Sequence, residues 1–322
     1  MSTSISVLLL LVASLVCGWF IPAAVLRFAL RSLRESPKAQ ASNYAGRTVV
    51  YGLGIAWLVW ALMVPFLPLV YGAVRIPAGF VGGRAENPLA WPALVLVASL
   101  LAFVCFCFGL IDDSYGARGA GGFRGHLKAL FTGHLTTGAL KLFGMSLASL
   151  MAGIFVSLLR EGRSDLSSAC THLSVLSFLV PLLLGASIAL TANFVNLTDL
   201  RPARASKVFL VLVVLGGIVN LCMTGFQNVI LSALTLVVLL GPLLATWRYD
   251  AGEVAMLGDA GANPMGAVAG LYFTWNLPWW GLVLYVTVML ALNLLSEKVS
   301  FSAAIDRTPV LRFLDGLGRK KP

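Results

Sequence analysis

Residues 93–113 read ALVLVASLLAFVCFCFGLIDD, an uncharged run of nineteen residues that ends in two adjacent carboxylates. A helix needs about 20 predominantly apolar residues to cross the hydrocarbon core of a bilayer. The run therefore predicts a membrane-spanning helix. Acidic side chains at the end of such a helix are costly unless a cation offsets them. Asp112 and Asp113 thus indicate an ion-binding or catalytic site at the membrane surface.

The composition of the whole chain is that of an integral membrane protein. Of its 322 residues, 59% are hydrophobic and 11% are charged, whereas soluble domains carry about 25% charged residues. The net charge of +10 does not indicate nucleic-acid binding, because the basic residues are spread over short linkers with no dense patch. Membrane topology and anionic lipid headgroups account for them better. With three histidines and no HExxH or paired CxxC spacing, a zinc site is not expected.

Hydrophobic runs predict nine membrane crossings. The fold class is therefore an all-α polytopic membrane protein with nine or ten helices, folded as a single domain over residues 1–322. The first run is too long for the core of a cleavable signal peptide, so it should remain as a helix. Pro278 separates the short eighth run from the ninth, and a tilted half-helix is the alternative for the eighth. The predicted spans are 7–30, 49–70, 88–111, 142–159, 173–194, 208–224, 227–247, 264–277 and 279–295.

Basic residues divide unequally between the linkers on the two sides of these crossings. One set of linkers holds 18 Lys and Arg residues, and the other holds Arg75, Arg84, Arg160 and Arg163. The richer side is expected to be cytoplasmic, which puts the N-terminus outside and the C-terminus inside. If 264–295 were one bent helix, the basic tail would end outside, against this charge count. The expected cytoplasmic segments are about 31–48, 112–141, 195–207, 248–263 and the tail 296–322.

Six acidic residues fall on this expected cytoplasmic side, in three separate linkers. Two end the third crossing, one follows the fifth, and three crowd the linker after the seventh. In chain order they are Asp112, Asp113, Asp199, Asp250, Glu253 and Asp259. If the three linkers meet, their carboxylates form one site at the membrane surface.

The first acidic run is GLIDDSYG, residues 109–116. Its paired carboxylates suit a divalent metal, or a metal together with a proton acceptor. A solvated helix end is the alternative, although acids there oppose the helix macrodipole. The following loop, 116–128, is rich in glycine and basic residues. Such a loop can cradle phosphate, and a merely flexible loop explains the composition equally well.

Two later runs carry further oxygen ligands. The run NFVNLTD, residues 193–199, ends the fifth span with amides, a hydroxyl and a carboxylate, and its alternative interpretation is a polar helix cap. The run MLGDAGANP, residues 256–264, places Asp259 between glycines just before a helix start marked by Pro264. A helix N-terminus favours anions, and glycine allows close approach to the backbone. An ordinary turn is the alternative there.

Together and in this order, the three runs resemble the polyprenyl-phosphate N-acetylhexosamine-1-phosphate transferases. The resemblance covers most of the chain: Asp-Asp after the third helix, Asn-Leu-Thr-Asp after the fifth and Gly-Asp-x-Gly after the seventh. It implies Mg²⁺-dependent transfer of a sugar-1-phosphate from a UDP-sugar to polyprenyl phosphate, with release of UMP, in cell-wall or surface-glycan synthesis. Mn²⁺ is the alternative metal. The implied partners are both substrates and the bilayer, without nucleic acid, and a homodimer is a candidate assembly.

The resemblance also implies a role for each matching residue. The expected catalytic residues are Asp112, Asp113, Lys128 and Asp259. The expected substrate-binding residues are Asn193, Asn196, Asp199, Arg201, Arg204 and Lys141. The expected metal ligands are Asp259, Asp113 and Asp199. Magnesium and lysine suit this chemistry, because the attack of one phosphate on another brings several negative charges together.

The chain departs from the family pattern after Asp199. A second aspartate is expected there, but the sequence continues Leu-Arg-Pro-Ala-Arg over residues 200–204. The family's histidine-rich C-terminal loop and a tenth helix are also absent from the pattern. We therefore expect a divergent member that uses GlcNAc-1-phosphate or a related sugar. A muramoyl-pentapeptide donor is the runner-up, and an inactive scaffold or a membrane transporter are alternatives of another class.

The substituted segment carries two arginines, Arg201 and Arg204. They would share one face if the segment were helical, since residues three apart are neighbours on a helix. Guanidinium groups can bind phosphate bidentately. We therefore expect both to contact the donor diphosphate or the acceptor phosphate. The alternative is that both anchor a helix end to anionic lipid.

Overall fold

The computed structural model describes residues 3–74, 90–116, 125, 132–134, 136–160, 175–224 and 229–319. Its helices are α1 (Thr3–Leu15), α2 (Ile21–Glu35), α3 (Ile55–Met63), α4 (Leu67–Val74), α5 (Ala90–Tyr115), α6 (Thr137–Arg160), α7 (Val175–Thr198), α8 (Arg204–Thr224), α9 (Val229–Asp250), α10 (Asp259–Trp275), α11 (Trp279–Ser296), α12 (Phe301–Arg307) and α13 (Pro309–Gly316). A π-helical turn at Val16–Phe20 joins α1 to α2, and 3₁₀ turns occupy Pro37–Ala39 and Val64–Phe66. The strands are β1 (Gln40–Ser42), β2 (Thr48–Tyr51) and β3 (Ala255–Met256).

Within these described residues, eight helical stretches are long and apolar enough to cross a membrane. They confirm the predicted class of all-α, multi-pass membrane protein. The stretches are Thr3–Glu35, Ile55–Val74, Ala90–Tyr115, Thr137–Arg160, Phe178–Thr198, Arg204–Met223, Val229–Asp250 and Trp279–Ser296. The predicted eighth crossing corresponds to α10, which has 17 residues and a length of about 26 Å at the helical rise.

Several predicted boundaries are wrong. The span predicted from residue 49 begins as β2, and its helix starts only at Ile55. Three other helices extend further than their hydrophobic runs, so Asp112, Asp113, Lys141 and Asn196 lie on helices rather than in linkers. Polar residues were excluded from the predicted spans because they are costly in lipid. Here they face one another instead, which allows the helices to continue through them.

Helix α10 is the centre of the bundle, and nearly every residue from Ala260 to Leu271 is buried. It packs against α5, α7 and α8. Small residues make this possible, since a Cβ at Gly266 would lie 2.7 Å from the Cα of Ala192 on α7. Small residues at such interfaces let membrane helices approach closely. The helix also begins at Asp259, five residues before the start predicted at Pro264.

A three-stranded sheet at one end of the bundle was not predicted from the sequence. Strands β1 and β2 pair antiparallel, with Gln40 opposite Val50, and β2 pairs parallel to β3, with Tyr51 opposite Met256. The parallel pair brings the end of β2 beside Gly258, immediately before α10. The sheet therefore fixes Tyr51 next to the N-terminus of the central helix.

The apolar core runs between the helices that surround α10. Trp57 and Trp60 on α3 are almost fully buried, and Trp57 packs edge-to-face on Phe209 of α8, with ring centroids 5.5 Å apart. The indole N–H of Trp60 donates to the backbone oxygen of Val238 on α9 at 2.8 Å. That bond satisfies a donor that would be costly to leave unpaired in an apolar interior.

Candidate active site

The candidate site is built on the N-terminus of α10, where Asp113 of α5 receives two backbone hydrogen bonds. The N–H of Asp259 donates to its Oδ1 at 3.0 Å, and the N–H of Ala260 donates to its Oδ2 at 2.9 Å. The first N–H groups of a helix have no partner within the helix, and its positive end favours an anion. Asp113 therefore joins the end of α5 to the start of α10. It also explains why α10 can begin before Pro264.

Tyr51 is a third donor to Asp113, which the sequence analysis missed. Its hydroxyl donates to Oδ1 at 2.7 Å. Burial and the neighbouring charge of Asp113 raise the pKa of Tyr51, so the phenol stays protonated and keeps donating. The only signal in the sequence was a tyrosine in an apolar run, which core packing explains equally well.

Close backbone contact holds this arrangement together. A Cβ at Gly109 would lie 2.4 Å from the backbone oxygen of Asp259, and a Cβ at Gly54 would lie 2.7 Å from the carbonyl carbon of Ala260. Gly258 adopts φ 65°, and a Cβ there would meet the ring of Tyr51. Glycine is the residue that tolerates both the positive φ and the close approach. These three glycines thus let α3, α5 and β2 reach the start of α10, and Gly258 is the one among them that was predicted to admit a ligand.

Lys141 of α6 bridges two of the predicted catalytic carboxylates. Its ammonium donates to Oδ2 of Asp112 at 2.7 Å and to Oδ2 of Asp259. The other oxygen of Asp259 accepts from the side-chain amide of Asn196 on α7 at 2.6 Å. The structure thus brings together Asp112, Lys141, Asn196 and Asp259. Lys128, the other predicted lysine, lies outside the described residues.

Asp199 lies on the opposite side of the same helix start. Its Oδ2 accepts from the backbone N–H of Gly258 at 3.1 Å. Burial is the main effect that raises its pKa well above the ordinary value, and repulsion from Asp250 and Asp259 adds to it. Asp250 accepts from the hydroxyl of Ser206 at 3.2 Å. The chain therefore keeps Asp199 in a place where its negative charge is unfavourable.

Among the residues that the structure describes, negative charge exceeds positive charge at the α10 N-terminus. We call this group the carboxylate cluster; it consists of Asp112, Asp113, Asp199, Asp259 and Lys141. Among the described residues, no three His, Cys, Asp or Glu side chains are grouped so that they could hold a metal ion. Mg²⁺ usually takes only one or two protein carboxylates, together with waters and substrate phosphates. The donor set, with Asp259 at its centre, therefore fits a Mg²⁺ ion that arrives with a phosphate substrate.

The two arginines of the substituted segment do not face the carboxylate cluster. Arg204 is buried, and its guanidinium donates to both oxygens of Asp315 in α13, at 2.9 and 3.0 Å. Arg201 pairs with Asp306 at 2.7 Å and lies over the ring of Tyr44. The segment is not helical between them, because residues 200–203 form a turn before α8, so the condition for a shared helical face is not met. Both arginines bind the C-terminal tail.

Asn193 also points away from the cluster, since its side-chain amide donates to Oδ1 of Asn293 on α11 at 2.6 Å. A better candidate from the same sequence runs is Asn263, one turn after Asp259 on α10. It is buried, and its side-chain nitrogen has no hydrogen-bond partner among the described residues. A buried donor without a partner is rare and suits a ligand atom. Its i+4 spacing from Asp259 was the available signal.

No protein-family model and no curated protein matches this chain. The chemistry of the site is therefore argued from its own residues and their geometry.

Proposed function

We propose that the protein transfers a sugar-1-phosphate from a UDP-sugar to polyprenyl phosphate. In this reaction an oxygen of the polyprenyl phosphate attacks the phosphorus that carries the sugar. A new P–O bond forms, the bond from that phosphorus to the bridging oxygen breaks, and UMP leaves with the electron pair. The donor is soluble and the acceptor headgroup lies at the membrane surface, so the reaction needs a polar site at the end of a membrane bundle.

One observation carries this proposal: the matching residues of three separate runs meet at one helix start. Asp112 and Asp113 come from α5, Asn196 comes from α7, and Asp259 begins α10. They are far apart in sequence, and no apolar packing requirement would select acids and an amide for these positions. Their convergence is what the resemblance implied for a phosphoryl-transfer site.

Each of these side chains has a distinct role in the proposal. Lys141 places a positive charge between two carboxylates, where it can move to a phosphate oxygen as substrate enters. Asn196 holds the Asp259 carboxylate in one orientation, and Asp113 fixes the helix start that presents it. Asp112 is the candidate acceptor for a proton from the acceptor phosphate. A bound Mg²⁺, with Asp259 as principal ligand, supplies charge that offsets the repulsion between the two phosphates.

The proposed orientation puts this site at the cytoplasmic face, with the N-terminus outside and the C-terminus inside. The 18-to-4 division of basic residues supports it. Ser114→Cys at the end of α5 and Ser302→Cys in α12, in a chain without its native cysteines, should escape labelling by a thiol reagent added outside intact cells. Strong labelling of either cysteine would show that the orientation is the reverse of the proposed one. A cytoplasmic donor could then not reach the site.

We propose GlcNAc-1-phosphate or a related sugar as the transferred group, with the muramoyl-pentapeptide donor as runner-up. The reason is the segment after Asp199, where the family's second aspartate is missing. A guanidinium cannot accept a hydrogen bond from a uracil N–H as a carboxylate can. Base selectivity should therefore be looser than in typical members. The two arginines in this segment bind the tail. Residues 200–204 therefore offer no charged side chain to the uracil base of the donor.

A specific observation also favours a second candidate, an inactive scaffold. Lys141 already forms ion pairs with Asp112 and Asp259. Asp113 already accepts hydrogen bonds from two backbone N–H groups. A chain that had lost catalysis could keep such pairs for stability alone. The transferase and the inactive scaffold differ in one measurable property, which is whether the protein still turns over substrate.

The deciding experiment is an assay of UMP release by the purified full chain. It uses polyprenyl phosphate, Mg²⁺ and a panel of UDP-sugars, each tested with and without a chelator. The proposal predicts UMP release that requires both the acceptor and the divalent cation. Absence of release with every donor, from a protein whose unfolding temperature shows that it is folded, would favour the scaffold.

A further inference from the structure

A cavity of about 480 Å³ lies at the end of the bundle opposite the carboxylate cluster. Its walls come from α3, α5, α8, α9, α10 and the end of α6, with the start of α11 at its edge. Trp91 lines it near the beginning of α5, and Asp112 lies 21 residues later on the same helix. That spacing corresponds to about 30 Å at the helical rise. The cavity is therefore separate from the proposed active site.

The walls of the cavity are mostly apolar and its polar groups come from helix ends. Trp60, Val95, Leu239 and Val268 are among the apolar lining residues. A cavity of this volume is within the range of about 300–1,000 Å³ found for small-molecule sites. The lining therefore suits a ligand with a long apolar body.

In the part of the chain that the structure describes, the polar lining includes the cation Arg160. Arg160, the last residue of α6, lines the cavity and donates to the backbone oxygen of Leu277 at 2.5 Å. Asn220 and Asn276 line it from the ends of α8 and α10. The hydroxyl of Tyr272, also in the lining, is buried without a hydrogen-bond partner among the described residues. A guanidinium in the lining suits a phosphate oxygen, and the unpartnered hydroxyl offers a second polar group to a ligand.

The cavity is unlike a space that stays empty or one that is filled by ordered water. An empty cavity destabilises the surrounding structure in proportion to its volume. An ordered water needs two to four polar partners, which the walls around Trp60, Val95 and Val268 do not offer. Membrane lipids, in contrast, surround this part of the chain at high concentration, and they combine a hydrocarbon chain with a phosphate headgroup.

We propose that this cavity binds one hydrocarbon chain of an anionic phospholipid, with the lipid phosphate next to Arg160. The proposal does not depend on the proposed transferase function. The polyprenyl chain of the acceptor is the competing occupant, because a long chain could reach the cavity from a phosphate at the carboxylate cluster, and the test below separates the two lipids.

The test is photolabelling of the purified full chain in vesicles. The probes are phosphatidylglycerol and phosphatidylcholine that carry a diazirine in the middle of one acyl chain, and labelled residues are mapped by mass spectrometry. Trp60 and Val268 line the cavity, and with 1% of their surface exposed neither lies on the outer face of the bundle that bilayer lipid covers. The proposal predicts labelling at these two residues, stronger with phosphatidylglycerol than with phosphatidylcholine.

Matched variants separate the cavity from the outer surface. Ala98 lines the cavity, and Ala93 on the same helix does not. Ala98→Phe should reduce labelling of Val268 several-fold, whereas Ala93→Phe should leave it unchanged. Arg160→Gln should reduce the preference for phosphatidylglycerol by about fivefold, as expected for the loss of one cation near an anionic headgroup.

Three results would overturn the proposal. Labelling confined to lipid-exposed residues of the wild-type chain would show that no acyl chain enters, whether or not Ala98→Phe folds. Equal labelling by the two lipids, unchanged in Arg160→Gln, would remove the role of the anionic headgroup. Loss of labelling on addition of polyprenyl phosphate, but not of unlabelled phosphatidylglycerol, would assign the cavity to the acceptor chain instead.

Discussion

Two charged clusters lie at the same end of the bundle, and they differ in charge balance. In the carboxylate cluster, four aspartates share one lysine. In the second, which we call the tail cluster, Asp315 accepts two hydrogen bonds from Arg204 and one from Arg319 at 2.7 Å, and Lys207 donates to the backbone oxygens of residues 314 and 315. The tail cluster consists of Arg204, Lys207, Asp315 and Arg319.

The pKa values of Asp315 in the tail cluster and Asp199 in the carboxylate cluster are shifted in opposite directions. Burial alone would raise the pKa of Asp315, but the hydrogen bonds and charge of Arg204 outweigh it and lower that pKa. Burial raises the pKa of Asp199, and neighbouring aspartates raise it further. In the tail cluster the single carboxylate is surrounded by three cationic side chains, so its charge is fully paired and stabilises the fold. Within the described part of the chain, the carboxylate cluster keeps an excess of negative charge, which is the property that our proposal assigns to a site for a cation.

The largest expected effect comes from breaking the tail cluster. Arg204→Ala leaves the buried Asp315 without its main partner, and removal of one member of a buried pair costs about 3–5 kcal/mol. Thermal unfolding in detergent should show this loss. Arg201→Ala is the control, because its partner Asp306 is 43% exposed and exposed pairs contribute about 0–1 kcal/mol. Equal losses in the two variants would mean that the tail cluster is no more structural than a surface pair.

The next effect tests the close contact beneath the carboxylate cluster. Gly109→Ala places a Cβ 2.4 Å from the backbone oxygen of Asp259, so α5 and α10 must separate, at a cost of about 1–3 kcal/mol. Gly72→Ala in α4 meets no atom within 4 Å and should be neutral or stabilising by up to about 1 kcal/mol. Both are measured by thermal unfolding. A neutral Gly109→Ala would show that the cluster does not need this contact.

The smallest effect concerns the pH dependence of stability at Asp199. A carboxyl group with a higher pKa in the folded state loses stability as pH rises from its ordinary pKa, about 3.9, through its raised value. Above that window Asp199 destabilises the fold, so Asp199→Asn should stabilise it by about 0.5–2 kcal/mol at neutral pH without divalent cations. The gain should shrink as pH is lowered towards 4.

The control for this pH series is Asp306→Asn, which alters an exposed pair and should change the unfolding temperature little at any pH. If Asp199→Asn instead destabilised the protein at neutral pH, the charge of Asp199 would be favourable. The contrast between the two clusters would then fail at Asp199.

The helical class and most spans followed from hydropathy, because the energetic rule that governs apolar runs in lipid is strong and local. Helix ends did not follow, since Asp112 and Asn196 find partners on other helices that a single run cannot reveal. The sheet was missed for the same reason. Its strands have three, four and two residues, and the parallel pair joins segments about 200 residues apart.

The site residues divide in the same way, into features that the local sequence reveals and contacts between distant segments that it does not reveal. Unusual acids in an apolar chain marked Asp112, Asp113 and Asp259, whose positions lipid would otherwise disfavour. Arg201 and Arg204 were assigned to phosphate from the sequence. Their actual partners, Asp306 and Asp315, lie about 100 residues away in the chain, so the local sequence did not reveal them. The sequence showed which side chains carry charge, but it did not show which side chain of opposite charge each one pairs with.

The most direct test of the central claim compares turnover in Asp259→Asn with that of the wild-type chain and of Asp306→Asn. The substitution keeps the shape of the side chain and removes the charge at the centre of the carboxylate cluster. UMP release should fall by roughly two or more powers of ten, the scale for losing one electrostatic stabiliser of a transition state. Asp306→Asn should retain wild-type turnover. Near-normal turnover in Asp259→Asn would contradict the account.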